Sequence, residues 1–490
     1  MTGGGGRQVV VVGGGLAGIT AAIALREWGA DVTLLEARPR LGGATCSFTR
    51  GDLVVDNGQH VFLRCCAAYR GLLDRLGMTG SVTLQDRFDV TVLQPDPAAG
   101  QPRRARLRRT NLPGPLHMSL ALSGYPLLSF PERLRTGRAA LAMKRLDPQD
   151  PALDSQRLGD WLAAHGQDEP SRRALWDLFT VSALNIAGDD ANLALAATVV
   201  KTALLGGRDA ADIGVPAVPL GDLHGQAAAG LLGRLGAQVR LGAKVAAIEV
   251  ERDRLPGIGR MFTVRLGRQA ASPDAGDTAI EADGVVVAVP PEPAARLLPA
   301  AAGAATGQWP GLGSSPILNV HVIYDRQVMR QPFAAAVGSP VQWVFDRTQQ
   351  SGLARGQAGS PGQYLAVSVS AADEMVDVPA ARLREIFLPA LAELFAAART
   401  ARVTDFFVTR ERRATFRQVP GCERLRPVAA TGLPGLTVAG AWTDTGWPDT
   451  MEGAVRSGLN AARELRRALD APRRAETMPH PSQRLTGADA

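Results

Sequence analysis

The chain has 490 residues, of which 46% are hydrophobic and 21% charged, and its formal net charge is +7. This composition is that of an ordinary globular protein with two or three domains, and it excludes a disulfide-stapled module, a collagen-like chain and a wholly disordered chain. The positive charge suits anionic surfaces or substrates, although a bias toward Arg and Ala explains it equally well. Because no basic, aromatic-interleaved motif accompanies it, we expect no nucleic-acid partner.

Cysteine and histidine spacing predicts neither a disulfide framework nor a metal site. The four cysteines stand at positions 46, 65, 66 and 422, and no two of the six histidines have the i, i+4 spacing that places two ligands on one helix face. We therefore expect no metal and a reducing, cytoplasmic location. The apolar run 9–25 contains four glycines and is shorter than the roughly 20 residues of a spanning helix, so we expect no membrane span.

The first predicted elements are a strand at 9–12, a helix at 16–28 and a strand at 31–35. A GxGxxG pattern joins the first strand to the helix, and an acidic residue follows the second strand 18 residues after the last glycine. The glycines permit a tight turn and the close approach of a pyrophosphate, while the acid can accept hydrogen bonds from ribose hydroxyls. The sequence predicts a dinucleotide site formed by Gly13, Gly15, Leu16, Ala17, Gly18 and Glu36.

An arginine-rich segment precedes an apolar stretch at 112–130 that is interrupted by proline. Its basic residues are Arg103, Arg104, Arg106, Arg108 and Arg109. Apolar side chains can enter the headgroup boundary of a membrane while arginines contact anionic lipid, so the pair predicts peripheral attachment to the inner face of the cell membrane. The alternative is a helix packed inside the substrate domain behind an exposed hairpin.

Later segments return to the nucleotide-binding frame. Two β-like runs lie within 238–250 and another apolar strand at 283–289, while the regions between mix strands such as 364–370 with helices such as 380–398. We predict a discontinuous nucleotide-binding domain of residues 7–85, 220–299 and 416–470, a mixed α+β substrate domain of residues 86–219 and 300–415, and flexible tails at 1–6 and 473–490.

A family resemblance starts at the end of the second predicted strand. The ExRxRxGG motif of the amine oxidase and phytoene desaturase superfamily of flavoproteins is similar to the segment Glu36-Ala37-Arg38-Pro39-Arg40-Leu41-Gly42-Gly43. The resemblance implies FAD as the cofactor, held in part by Arg38, Gly42 and Gly43. It also implies that Val245, in a run similar to the adenine-contacting strand of the superfamily, offers its backbone groups to the base.

A second segment narrows the resemblance. The squalene-associated FAD-dependent desaturase group, whose members dehydroxylate hydroxysqualene, is similar to the segment Val55-Asp56-Asn57-Gly58-Gln59-His60 and to the Cys65, Cys66, Tyr69 and Arg70 that follow it. The resemblance implies that Gly58 lies at the flavin. Because a positioned imidazole can protonate a departing hydroxyl, we predict His60 as the proton donor, with pocket shaping as its alternative role.

A third block, residues 437–458, resembles the C-terminal flavin motif of the same families and implies cofactor contacts from Gly440, Met451 and Glu452. Its sequence predicts a helix that is capped by Asp449 and has its positive end toward the flavin, with an ordinary surface helix as the alternative. The families usually have an acid where this chain has Ala441. We name Asp444 as the nearby substitute and as a second catalytic candidate.

The resemblance implies an α/β fold in which a Rossmann-like FAD-binding domain carries an inserted mixed α+β substrate domain. The implied activity is the reductive dehydroxylation of hydroxysqualene to squalene, with non-covalent FAD, a long apolar polyprenyl substrate and a separate electron donor. A carotenoid or other polyprenyl desaturase is the alternative enzyme. A non-enzymatic carrier of polyprenyl lipid, stabilised by FAD, is the alternative from another class, and Ala441 is the residue that favours it.

Overall fold

The computed structural model of the protein describes residues 6–251, 261–267, 278–353 and 362–471. The predicted tails lie outside these residues, apart from Gly6. The strands are, in chain order, β1 (Gln8–Val12), β2 (Asp31–Glu36), β3 (Ser47–Arg50), β4 (Leu53–Asp56), β5 (Phe62–Leu63), β6 (Val82–Leu84), β7 (Asp89–Gln94), β8 (Arg103–Arg108), β9 (Ile213–Pro216), β10 (Gln238–Leu241), β11 (Val245–Val250), β12 (Phe262–Leu266), β13 (Ala279–Ala282), β14 (Gly284–Val287), β15 (Ser315–Tyr324), β16 (Phe333–Ala336), β17 (Trp343–Asp346), β18 (Gln363–Val369), β19 (Val403–Thr415) and β20 (Leu436–Val438).

Helices connect some of these strands, and a long run of them lies between β8 and β9. The α-helices are α1 (Leu16–Trp28), α2 (Ala67–Arg75), α3 (Ser119–Ser123), α4 (Phe130–Arg145), α5 (Pro151–Asp154), α6 (Leu158–Ala164), α7 (Glu169–Ser171), α8 (Asp177–Leu184), α9 (Leu193–Val199), α10 (Ala227–Arg234), α11 (Pro291–Leu297), α12 (Ala380–Leu394) and α13 (Met451–Asp470). Short π-helical segments precede α8, follow α9 and precede α10 at Arg172–Trp176, Val200–Leu204 and Gly221–Gln226.

Five parallel strands form the sheet that carries the glycine loop, in the order β10-β2-β1-β14-β20. They come from all three segments predicted for the nucleotide-binding domain. The four valines of β1 are at most 4% exposed, as expected for a parallel strand that is covered on both faces. The carboxyl ends of these strands meet at one edge of the sheet, which is where such sheets bind their ligands.

A seven-stranded sheet forms the core of the other half of the molecule, in the order β19-β15-β18-β17-β16-β7-β8. Its strands come from the two segments predicted for the substrate domain, and its pairings are antiparallel except for that of β16 with β7. A small sheet of order β5-β9-β6 joins the halves, because β9 belongs to a substrate segment and its two partners to a nucleotide-binding segment. The domain boundaries themselves stay predictions.

The predicted elements largely match those observed, and the α/β fold is confirmed. Helix α1 has the predicted bounds, and β2 extends one residue further to Glu36. The two runs within 238–250 are both strands, but β10 joins the parallel sheet whereas β11 pairs with β12 in a separate antiparallel sheet. The helix predicted for 380–398 ends at Leu394 because Phe395 is extended and buried, and a short 3-10 turn follows.

The arginine-rich segment differs from its prediction at one residue. Along β8 the arginines are exposed while Ala105 and Leu107 are buried. Arg109, predicted as part of the surface cluster, is instead 6% exposed, because its guanidinium donates 2.6 and 2.9 Å hydrogen bonds to both carboxylate oxygens of the buried Asp212. A buried charge is stable only when it is paired in this way, so the prediction for Arg109 is wrong.

The apolar stretch that follows does not pack as one internal helix. It folds into a 3-10 turn, α3 and the first residues of α4, which begins with a capping box of Ser129 and Glu132. Six large apolar side chains of this region are 43 to 69% exposed. We call them the apolar surface set: Leu112, Leu116, Leu120, Phe130, Leu134 and Leu141.

Candidate active site

The glycine loop closes the carboxyl end of β1 and can be formed only by glycines at two points. Gly13 has φ +107°, and a Cβ placed there would lie 2.2 Å from the carbonyl oxygen of Ala288. A Cβ at Gly18, in the first turn of α1, would lie 1.9 Å from the carbonyl oxygen of Gly13. The loop thus brings the start of α1, with Leu16 and Ala17, against the end of β14, and points the positive helix end at the sheet edge.

Glu36 and the second glycine pair lie against this loop. The two carboxylate oxygens of Glu36 accept hydrogen bonds of 2.7 Å from the backbone N–H groups of Gly14 and Arg38. Gly42 donates its N–H to the Gly14 carbonyl at 2.8 Å, and a Cβ on Gly43 would come within 2.8 Å of the Gly15 Cα. The two glycine segments therefore touch backbone to backbone, as close packing around a pyrophosphate requires.

The residues of this corner fit the pyrophosphate of FAD. A Cβ at Gly15 would have no atom nearer than 3.8 Å, so open space lies beside the N-terminus of α1. Among the described residues, the buried Nη1 of Arg40 has no hydrogen-bond partner, whereas the Arg38 guanidinium donates to the Gly43 carbonyl at 3.3 Å. A buried cationic donor without an acceptor is costly unless an anion completes it. Arg40 was not among our predicted site residues, although it belongs to the ExRxRxGG segment.

The predicted adenine-contacting segment lies beside Glu36. Ala243 donates its N–H to the Glu36 carbonyl at 2.8 Å, and Gly242 donates to the Arg38 carbonyl at 3.0 Å. These bonds bring the start of β11, with Val245 at 7% exposure, to the end of β2. The contact of Val245 with the base itself stays a prediction.

The C-terminal segment reaches the same sheet edge through Gly440, which stands two positions after the last residue of β20, Val438. Gly440 has φ +148°, and a Cβ there would lie 2.3 Å from the indole nitrogen of Trp442, which donates to the Val289 carbonyl at 3.0 Å. The Gly440 N–H is held by the Ser457 hydroxyl of α13 at 2.9 Å. These contacts fix a tight turn between the sheet and α13.

Arg426, which the sequence did not single out, organises the loop after this turn. Its buried guanidinium donates hydrogen bonds to the carbonyls of Ala441, Thr443 and Trp447 at 3.3, 2.6 and 2.7 Å. Asp444 lies on the outside of that loop, where its exposed carboxylate accepts a 3.2 Å hydrogen bond from the Gly446 N–H. The structure gives Asp444 this local turn, and its catalytic role stays a prediction.

The helix α13 starts where predicted but with a different cap. Thr450 is the N-cap, and its hydroxyl accepts a 3.2 Å hydrogen bond from the Gly453 N–H. The prediction of Asp449 as the cap is wrong, because its carboxylate accepts the Phe416 N–H at 2.8 Å instead. Burial raises the pKa of Asp449 to about 6. Met451 is still the first residue of the helix, so the predicted positive end remains in place.

The Glu452 carboxylate is already hydrogen-bonded within the protein. It is 1% exposed, and its oxygens accept hydrogen bonds from the backbone N–H groups of Ala68 and Tyr69 at 3.2 and 2.8 Å. Arg456 also donates to it at 2.7 Å. The carboxylate therefore caps the N-terminus of α2 from a neighbouring helix. Its predicted contact with FAD stays a prediction, with both oxygens already engaged.

His60 faces a narrow cleft between the two halves of the molecule. The cleft is too narrow in this structure to admit a water molecule, and its lining includes His60, Val61, Val215 and Phe345. The Nδ1 of His60 lies 3.2 Å from the Gly58 carbonyl oxygen, which can only accept, so we assign the ring proton to Nδ1. Burial lowers the pKa of His60, and the neutral ring then presents Nε2 as an acceptor.

A buried ion pair forms the polar side of the cleft. The Arg347 guanidinium donates to the Asp56 carboxylate at 2.7 Å and to the Pro216 carbonyl at 3.1 Å. Asp56 also accepts from the Ser47 hydroxyl and the Leu220 N–H, so it positions the chain around the cleft. Sequence reasoning could not find Arg347, because 291 residues separate it from its partner.

Asn319 is a second residue that the sequence did not reveal. It is fully buried on β15, and its amide nitrogen donates to the Asn57 carbonyl at 3.2 Å while its Oδ1 has no partner among the described residues. A Cβ on Gly58 would lie 3.2 Å from this amide. Gly58 therefore permits the substrate-domain sheet to approach the segment that carries His60.

Two possible features are not found in the described part of the chain. It contains no group of three or more His, Cys, Asp or Glu side chains able to hold a metal ion. None of its helices is both long and apolar enough to cross a membrane.

These features define an FAD-dependent oxidoreductase, with a dinucleotide corner on a parallel sheet and a cleft between that sheet and a second domain. The family model described as flavin containing amine oxidoreductase matches residues 16–466, and the chain belongs to that family. It is 30% identical to a hydroxysqualene dehydroxylase from Rhodopseudomonas palustris over 93% of this chain and 97% of that protein.

Two further proteins extend the comparison. The chain is 24% identical to a 15-cis-phytoene desaturase from Solanum lycopersicum, over 94% of this chain and 77% of the plant protein. Among solved structures, the cyclohexylamine oxidase from Brevibacterium oxydans superposes with a TM-score of 0.68 at 20% identity, covering 95% of this chain and all of the oxidase. This last likeness concerns the fold alone.

Proposed function

We propose that the protein reductively removes the hydroxyl group of hydroxysqualene to give squalene. The observation that carries the proposal is full-length similarity to a hydroxysqualene dehydroxylase, and the position of His60 at the cleft between the two halves of the molecule supports it. Membership of an oxidoreductase family argues against the hypothesis of a non-enzymatic carrier, which Ala441 favoured.

The chain's own residues hold the substrate and manage its proton. Bound FAD, when reduced, supplies the hydride equivalent that replaces the hydroxyl. His60 takes up a proton from solvent at Nε2, donates a hydrogen bond from it to the substrate hydroxyl and passes the proton to the departing oxygen, which leaves as water. Val61, Val215 and Phe345 exclude water from the reacting carbon, and the Asp56 and Arg347 pair holds the cleft in shape.

The apolar surface set supports a membrane as the source of substrate. Leu116, Leu120 and Phe130 are 55, 62 and 69% exposed, and a side chain of this size gains about 1.5 to 3 kcal/mol when it is fully buried. Exposed arginines on β8 lie in the same segment of chain. We propose that this region enters the headgroup boundary of an anionic leaflet, on the inner face of the cell membrane, and admits the polyprenyl chain.

A polyprenyl desaturase is the second candidate, favoured by the similarity to 15-cis-phytoene desaturase. It runs the same transfer in the opposite direction, with the hydride equivalent leaving the substrate. No leaving hydroxyl is then present, so the proton donor at His60 has no task. The desaturase reaction consumes oxidised cofactor, whereas the dehydroxylase reaction consumes reduced cofactor.

The direction of transfer separates the two candidates. Anaerobic holoprotein is reduced and mixed with hydroxysqualene, and separately kept oxidised and mixed with phytoene or squalene. We expect squalene from the first mixture and unchanged polyene in the second, identified by mass spectrometry. A polyene that has lost hydrogen in the second mixture, with hydroxysqualene untouched in the first, would overturn the proposal in favour of the desaturase.

A further inference from the structure

We propose that Cys65 and Cys66 form a reversible dithiol and disulfide couple that controls the contact between α2 and α13. The two residues directly precede α2, and both are partly exposed. The other two cysteines, Cys46 and Cys422, are buried. The chain therefore presents to solvent a pair of adjacent thiols that the proposed reaction does not use.

The two adjacent thiols have unequal acidity. The neighbouring Cys66 thiol lowers the pKa of the Cys65 thiol, whereas the neighbouring Cys65 thiol, followed by burial, raises the pKa of Cys66. Since the thiolate is the nucleophile and oxidation follows thiolate character and exposure, Cys65 is the residue that reacts first. Cys66 is the resolving thiol beside it.

The oxidation needs a two-electron oxidant, which we take to be hydrogen peroxide. The Cys65 thiolate attacks peroxide, its O–O bond breaks, and Cys65 becomes a sulfenic acid as hydroxide leaves. The Cys66 sulfur then forms the S–S bond and displaces the sulfenic oxygen, which leaves as water after taking up a proton. Two thiols have lost two protons and two electrons, and peroxide has become two waters. A dithiol reductant reverses the step by exchange.

A disulfide between two adjacent residues is strained, and this strain makes the bond easier to reduce. Consecutive Cα atoms lie about 3.8 Å apart, whereas disulfide-linked Cα atoms are usually about 4.4 to 6.8 Å apart. The backbone around Cys66 must therefore turn when the ring closes. Strained, exposed disulfides have the higher reduction potentials that are typical of regulatory bonds.

The turning backbone leads directly into the contact with α13. The amides of Ala68 and Tyr69, two and three residues after Cys66, donate to the Glu452 carboxylate. Glu452 and Arg456 also lie close enough to Cys65 to act on its pKa. Glu452 is the second residue of α13 and belongs to the C-terminal flavin motif. Ring closure thus loosens the cap that ties the start of α2 to the C-terminal flavin motif.

Peroxide treatment of the FAD-loaded full chain tests the couple without any substrate. After alkylation of free thiols, peptide mapping should find Cys65 linked to Cys66 while Cys46 and Cys422 stay reduced, and dithiothreitol should restore both thiols. In Cys66→Ser, dimedone should trap a sulfenic acid on Cys65. In Cys65→Ser, the remaining Cys66 should react with peroxide at least about tenfold more slowly than Cys65 does in Cys66→Ser, because burial still raises the pKa of Cys66.

The consequence for α2 is measured by amide hydrogen exchange on the same samples. Oxidation should speed exchange at residues 67–70 by about tenfold, equivalent to losing about 1.4 kcal/mol of protection, and Cys66→Ser treated with dithiothreitol should keep the wild-type rate. Alkylation of both thiols after peroxide would overturn the couple. A disulfide with unchanged exchange at 67–70 would overturn its control of the contact. Neither outcome bears on hydroxysqualene chemistry.

Discussion

The role of Glu36 in FAD binding can be tested by a single substitution. Its oxygens already accept the Gly14 and Arg38 amides, and each retains a lone pair for a ribose hydroxyl. Glu36→Gln turns one acceptor into a donor that faces a backbone donor, so we expect FAD affinity to fall by about 10- to 100-fold. Flavin fluorescence titration measures it.

A matched acid on the same strand serves as the control for Glu36. Asp31 begins β2 at the opposite end and is exposed, so Asp31→Asn should leave FAD affinity unchanged. Equal affinities of wild type and Glu36→Gln would show that this carboxylate does not hold the ribose.

His60 makes a prediction about pH. Because burial lowers its pKa, the protonated form grows as pH falls through and below the usual histidine range near 6.5. If protonated His60 is the acid, anaerobic reoxidation of reduced holoprotein by hydroxysqualene becomes faster toward acidic pH. His60→Gln should remove this rise and slow the reaction about a hundredfold at the acidic end, with FAD content unchanged.

The exposed His165, which directly follows α6, provides the comparison, and His165→Gln should reproduce the wild-type pH profile. A His60→Gln profile that superimposes on wild type would leave a bound water or Asp444 as the proton donor.

At the scale of elements, the crossing of α1 and α13 ties the glycine loop to the C-terminal motif. A Cβ on Gly458 would lie 2.3 Å from the Ala17 carbonyl oxygen, so Gly458→Ala must push the helices apart. We expect it to lower the free energy of unfolding by about 1 to 3 kcal/mol and to weaken FAD binding. Gly233→Ala in α10 meets no atom within 4 Å and should instead stabilise by about 0.5 to 1 kcal/mol. Denaturant titration of both variants checks the difference, and equal stabilities would contradict the tight crossing.

The apolar surface set predicts membrane binding with two separable parts. Replacing Leu116, Leu120 and Phe130 by Ser should reduce sedimentation with anionic liposomes about tenfold or more at any salt concentration. Arg104→Gln should weaken vesicle binding only at low salt, because at 0.1 M salt exposed charges more than about 10 Å apart are largely screened from each other. Arg106 should matter less, since it donates a 2.7 Å hydrogen bond to Asp89.

Leu241, 44% exposed on β10 of the other half, is the control for the apolar part, and Leu241→Ser should bind vesicles as wild type does. Equal binding of all variants would exclude this region as the membrane contact.

At the scale of the whole molecule, local patterns were predictable and long-range pairs were not. The unit β1-α1-β2 follows from periodicity and glycine placement within 30 residues, so its bounds were found almost unchanged. The cap of α13 was misplaced by one residue, because both Asp449 and Thr450 can cap and a tertiary contact with Phe416 decided between them. Arg109 was misjudged for the same reason, since its partner Asp212 is 103 residues away.

In the candidate site, too, residues in local motifs could be predicted and residues brought in by long-range contacts could not. The motif residues around Glu36 were predicted from spacing and resemblance. Arg347 meets Asp56 at the cleft, and Asn319 meets the backbone beside Gly58, only because the second sheet packs against the segment of His60. No local pattern marks such residues.

A single-turnover experiment tests the central claim most directly. Holoprotein is reduced stoichiometrically without oxygen and mixed with excess hydroxysqualene, and oxidised flavin and squalene are quantified in the same sample. We expect one squalene to form for each flavin oxidised, because one hydride equivalent replaces one hydroxyl. Flavin that stays reduced beside unchanged hydroxysqualene, or oxidises without forming squalene, would contradict it.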